Sequence, residues 1–161
     1  MTTVTRLYHF SASHRLHIPE LTEQENYALY GKCNNPYGHG HDYTLEVTAA
    51  GPVDEQTGVL LFREDLDRLV RECVLSQFDG RNINLDVPDF AAGLVPTTEN
   101  IALVISRELE KNWPVYLGDS LSTLYRIHIQ ETGRNGFELF VSKPHSSRTA
   151  RPYAGDIIVH A

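Results

Sequence analysis

Residues 39–49, His-Gly-His-Asp-Tyr-Thr-Leu-Glu-Val-Thr-Ala, alternate without a break. Tyr43, Leu45, Val47 and Ala49 fall on one side and Asp42, Thr44, Glu46 and Thr48 on the other. A period of two held over this length specifies a strand with one buried face, and a slip of one residue would turn that face to water. His39 and His41 head the buried face, because residues i and i+2 of a strand point the same way.

A second alternating stretch covers residues 4–14, with Val4, Tyr8, Phe10, Ala12 and His14 on one face and Thr5, Ser11 and Ser13 on the other. If the two strands pair antiparallel, His14, His39 and His41 meet at one end of a sheet. Zinc accepts three imidazoles and in catalytic sites keeps a fourth position for water or substrate. Spacing alone leaves three readings open. The histidines could be hydrogen-bonded without metal. They could form a closed structural site with Cys33 as fourth ligand. Or they could form an open site with Cys33 unligated nearby, its thiol acidified by the ion.

The rest of the chain sets the frame. Residues 15–38 are polar and turn-rich. A helix is expected over about 62–77, with Leu66, Leu69, Val70, Cys73 and Val74 in one stripe. Thr97-Thr98-Glu99-Asn100 caps a second helix, about 98–112, with Ile101, Ile105 and Leu109 inward. Strands near 121–131 and 136–142 follow, joined by the turn sequence Gly133-Arg134-Asn135-Gly136. This order predicts an α+β fold, a four-stranded antiparallel sheet with both helices on one face. The open sheet edges invite pairing with other subunits.

With 161 residues, the expectation is one domain spanning 1–161. A net charge of −7 with no Lys/Arg run argues against nucleic acid as a partner. No segment approaches the roughly 18 apolar residues of a membrane span, and the N-terminus carries no apolar run of the signal-peptide kind. Two cysteines, Cys33 and Cys73, in different contexts point to a reducing cytoplasm rather than a disulfide framework.

Glu131 follows Tyr125, Ile127 and Ile129 on the buried face of its strand, where a carboxylate is costly unless paired. It could accept two parallel N–H donors of a ligand, turn to solvent at the strand end, or bind an arginine. Glu99 stands in a helix's first turn, where negative charge is favourable in itself.

Phe10-Ser11-Ala12-Ser13-His14-Arg15-Leu16 and the run from Gly31 to Tyr43, Gly-Lys-Cys-Asn-Asn-Pro-Tyr-Gly-His-Gly-His-Asp-Tyr, resemble the two signature segments of the 6-pyruvoyltetrahydropterin synthase family. Asp86-Val87-Pro88, Thr97-Thr98-Glu99-Asn100 and Glu131-Thr132 fit its downstream pattern in order, so the resemblance covers about residues 6–142. The Cys-Asn-Asn-Pro spacing favours the pyruvoyl type over the sister 6-carboxytetrahydropterin synthases. The tail, 143–161, lies beyond the resemblance.

The resemblance implies the T-fold, with subunits closing a barrel as a hexamer of two trimers and active sites at subunit interfaces. It implies zinc on His14, His39 and His41, Cys33 and Asp79 as catalytic residues, and Glu131, Thr98 and Glu99 as substrate-binding residues. The implied reaction is conversion of dihydroneopterin triphosphate to 6-pyruvoyltetrahydropterin with loss of triphosphate. A carboxy product, side-chain cleavage, and a non-catalytic pterin-binding paralog are the alternatives. One departure stands out. The family's Asp-His-Lys-Asn-Leu-Asp is here Asp79-Gly80-Arg81-Asn82-Ile83-Asn84, so the relay histidine is replaced by Gly80. His128 lies on the opposite strand face from Glu131, a poor substitute within one subunit. His9, His17, His145 and His160 belong to no motif and are expected to be exposed or structural.

Overall fold

The computed structural model describes residues 1–141 and the short strand Ile157–Ile158; the tail beyond 141, with His145 and His160, otherwise lies outside the described residues. The chain runs β1 (Thr2–His14), α1 (Glu23–Tyr30), β2 (His39–Gly51) and α2 (Arg63–Val70). A π-helical turn, Arg71–Leu75, carries α2 into α3 (Ser76–Phe78). There follow β3 (Arg81–Asn82), α4 (Ile83–Asp86), α5 (Pro88–Ala91), α6 (Thr98–Leu117), β4 (Thr123–Thr132), β5 (Asn135–Phe140) and β6 (Ile157–Ile158).

The sheet order is β3-β1-β2-β4-β5-β6. Its four long strands are antiparallel neighbours, as expected from the alternation. The sheet is nevertheless mixed, because the two residues of β3 run parallel to β1 beside Ala12 and Ser13. Tyr43, Leu45 and Val47 of β2 and Ile127 and Ile129 of β4 are fully buried against Leu66, Leu69, Ile101, Ile105 and Leu109 of the helices. The main helices therefore cover one face, the arrangement the apolar stripes demand. The opposite face is polar. There Arg126 donates to Glu46 (2.9 Å), to Thr48 (3.3 Å) and to Glu138.

Beyond β3 and the short helices α4 and α5, α1 and the end of α6 also differ from expectation. The segment 15–38 contains a helix, α1, opened by a capping box in which Thr22 and Glu25 satisfy each other's backbone N–H groups. It is tied down by the buried Asn26 side chain, which bonds the backbone of Ile18, Leu21 and Thr22 rather than burying an apolar stripe. The second long helix reaches Leu117, past Pro114. Its last turn is held by buried Trp113, whose indole N–H donates to Ser122 O at 3.1 Å, and by buried Leu117.

Candidate metal centre

The register of the first two strands brings the three histidines together. Ala12 pairs with His41 and His14 with His39, so the ends of β1 and β2 present all three imidazoles on the helix-covered face. Gly38 makes this end. It holds φ +69°, and a Cβ there would come within 2.9 Å of His14 O, so only glycine lets the incoming chain pass so near β1.

One ligand nitrogen from each of His14, His39 and His41 lies within 4.8 Å of the others. His14 Nε2 and His39 Nε2 are 3.2 Å apart. His14 is almost fully buried, and its Nδ1 lies 2.8 Å from Pro96 O. A carbonyl only accepts, so Nδ1 carries the proton and Nε2 turns a lone pair toward the cluster. Burial, foremost, pushes both His14 and His39 below the ordinary imidazole value; neighbouring imidazoles add to this at both positions. Both are therefore neutral at neutral pH, the form that binds a metal. His41 Nε2 is buried with no hydrogen-bond partner, a costly state that a cation between the rings would relieve. The donor set fits a three-histidine metal site.

Glu131 borders the cluster. Its side chain is 9% exposed, and Oε1 lies 3.7 Å from His14 Nε2 and 3.9 Å from His41 Nε2. The Tyr43 hydroxyl donates to Oε1 (3.3 Å) and Asn135 Nδ2 donates to Oε2 (2.6 Å). Among the described residues no arginine reaches Glu131, and its side chain turns toward the cluster rather than to solvent. Burial, then this same carboxylate, pushes the Cys33 thiol above its ordinary value, so without a cation nearby the thiol keeps its proton at neutral pH. Among the described residues the convergent ligand group consists of the three histidines and leaves Cys33 out, a donor set that fits the open arrangement.

The remaining sequence-derived residues divide. Buried Thr98, at the start of α6, accepts from Asn135 Nδ2 at 3.3 Å and so touches the Glu131 network. Glu99, next to it, is exposed in the helix's first turn. Asp79 stands apart within the chain: its Oδ1 accepts from Ser11 N (3.0 Å) at the edge of β1, and Gly80 N donates to Ser11 O (2.7 Å). His128 lies on the polar face, 3.8 Å from Glu46. His17 and His9 meet Asn34 and Thr44. Two partners of Glu131 escaped the sequence reading, Tyr43 and Asn135. Tyr43 carries no signal beyond its inward parity, two residues from His41. Asn135 had only its place in the turn.

A sequence profile described as 6-pyruvoyl tetrahydropterin synthase matches residues 3–140. The chain is 44% identical over 132 residues to the 6-pyruvoyl tetrahydrobiopterin synthase of Poecilia reticulata, covering 82% of this chain and 85% of that protein. It is 42% identical over 132 residues to the Homo sapiens protein of the same name, covering 82% and 86%. The solved structure of Caenorhabditis elegans 6-pyruvoyl tetrahydropterin synthase superposes with a TM-score of 0.77 at 37% identity, over 88% of this chain and 96% of that one.

Proposed function

The chain belongs to the 6-pyruvoyl tetrahydropterin synthase family, and from that premise we propose that it is a zinc-dependent lyase converting dihydroneopterin triphosphate to 6-pyruvoyltetrahydropterin. The observation that carries the reading is the convergence of three imidazoles, two of them held neutral by burial, beside a buried carboxylate and a thiol. His14, His39 and His41 hold the ion, and imidazole donors suit zinc. Zinc, when bound, acts as a Lewis acid on the substrate's side-chain oxygens and makes neighbouring protons easier to remove.

The chain's own groups do the rest. Glu131 accepts the pterin's two parallel N–H groups, fixing the ring with its side chain toward the histidines. Thr98 and Glu99 line the entrance. Cys33 takes and returns the proton once a cation lowers its thiol into the thiolate range. Asp79, placed on the outer edge of β1, serves the Cys33 of a neighbouring subunit, which requires a closed oligomer; we take this to be a hexamer of two trimers. Gly80 leaves that relay without its imidazole, so the turnover proposed is slow. Among the described residues no helix is long and apolar enough to cross a membrane, and we place the enzyme in the cytoplasm.

The test is to incubate the zinc-loaded protein with dihydroneopterin triphosphate and identify products by mass, beside Cys33→Ala. A pyruvoyl product that disappears in the variant supports the proposal. A carboxy or aldehyde product redirects it to another branch, and unchanged substrate with pterin retained leaves a binding paralog.

A further inference from the structure

Glu131 sits where the pairing of β4 with β5 slips, between Gln130 and Thr132. A bulge of this kind re-aims the side chain of the extra residue. Thr132, across the hairpin from Asn135, accepts from the backbone N–H groups of Arg134 (3.3 Å) and Asn135 (3.1 Å), which pins the turn. Asn135 Nδ2 then reaches two acceptors, Glu131 Oε2 at 2.6 Å and Thr98 Oγ1 at 3.3 Å. An ionised carboxylate only accepts, so the amide nitrogen must face it. The other carboxylate oxygen is engaged by Tyr43, a fully buried ring stacked on Phe10.

A carboxylate offers about four lone-pair sites. Tyr43 and Asn135 use one on each oxygen, which leaves one on each for the two parallel N–H donors of a pterin edge. We propose that Asn135 is a positioning residue: it holds Glu131 Oε2 and ties it to the start of α6, so that the carboxylate is aligned for both pterin N–H groups before the ligand arrives. This rests on the reading of Glu131 as the pterin-binding group. Of the two holders, Tyr43 is locked in the core, whereas Asn135 stands at the exposed rim and can be changed without opening a cavity.

Asn135→Ala, the isosteric Asn135→Asp and Glu131→Gln are compared with the parent protein in equilibrium binding of 7,8-dihydroneopterin, which lacks the triphosphate, and in steady-state turnover. Zinc content and melting temperature are measured alongside. Loss of a hydrogen bond to a charged group predicts a dissociation constant and KM raised about tenfold in Asn135→Ala, with kcat within about twofold and zinc content unchanged. Asn135→Asp, which keeps the shape but sets a like charge against Glu131, binds more weakly still. If Glu131→Gln loses binding while both Asn135 variants bind like the parent, the positioning role is wrong and the Glu131 reading survives. If Glu131→Gln binds like the parent, the Glu131 reading falls and the positioning role with it. A fall in kcat at constant KM in the Asn135 variants also overturns the proposal.

Discussion

Restoring an imidazole at position 80 separates two costs that the structure keeps apart. Gly80 has φ +70°, and a Cβ built on it meets no atom within 4 Å. Any other residue therefore carries the left-handed backbone penalty of about 1–2 kcal/mol. The narrower unfolded ensemble offsets about 0.4–1 kcal/mol of it. The net loss of about 1 kcal/mol lowers the melting temperature of a chain this size by about 2–4 °C. It should be the same for Gly80→Ala as for Gly80→His, since open space rewards neither side chain. Activity should split them. A general acid–base group contributes about 10²–10⁴ in rate, so a histidine in unrefined geometry should raise kcat by about tenfold over Gly80→Ala. Thermal melts and triphosphate release read the two effects independently. Equal kcat in the two variants would show that no relay position is vacant. A melting drop far beyond a few degrees would show that the site is not open space.

Other perturbations follow from single contacts. Gly38→Ala combines the same left-handed penalty with a Cβ 2.9 Å from His14 O, so it should destabilise by more than about 2 kcal/mol and weaken zinc binding; melts and metal titration check both. His14 and His39 have folded values depressed below 6.5. The unfolded chain thus binds more protons as pH falls through 6.5, and metal-free protein should lose stability below that pH, as denaturant titrations at stepped pH will show. Zinc should suppress the loss until protons displace it. Asp67 takes two hydrogen bonds from Arg6 and one from Tyr8, and Arg6 above all holds its carboxyl below the usual range. Its contribution is full above about pH 4 and fades on further acidification. Asp67→Asn should cost under about 1 kcal/mol at pH 7, because the pair is partly exposed and solvent screens it, and the difference should shrink at pH 3.

The long strands were legible from parity, and the histidine convergence from parity together with an antiparallel pairing of the first two long strands. His39 and His41 share a face with buried Tyr43, Leu45 and Val47, and antiparallel pairing then leaves His14 nowhere else to point. The helix α1 was not legible from hydrophobic period, since its one buried residue is Asn26 and its Tyr27 and Leu29 are exposed. Its signal was the Thr22…Glu25 capping pair. The edge strand β3 escaped because it is two residues long and is defined by main-chain pairing beside Ala12 and Ser13, which no side-chain pattern reports. Glu131 was readable as a carboxylate on a buried face. What holds it was not, because Asn135 reaches it across a hairpin whose register is displaced at that very residue.

If this histidine cluster and Cys33 act together on a pterin triphosphate, the rate of inorganic triphosphate release from dihydroneopterin triphosphate reads that joint action. Release is expected from the zinc-loaded protein, with loss on chelation, recovery on adding zinc back, and a drop of at least about a hundredfold in Cys33→Ala with metal content intact. Release at the parent rate from the chelated protein or from Cys33→Ala would contradict it.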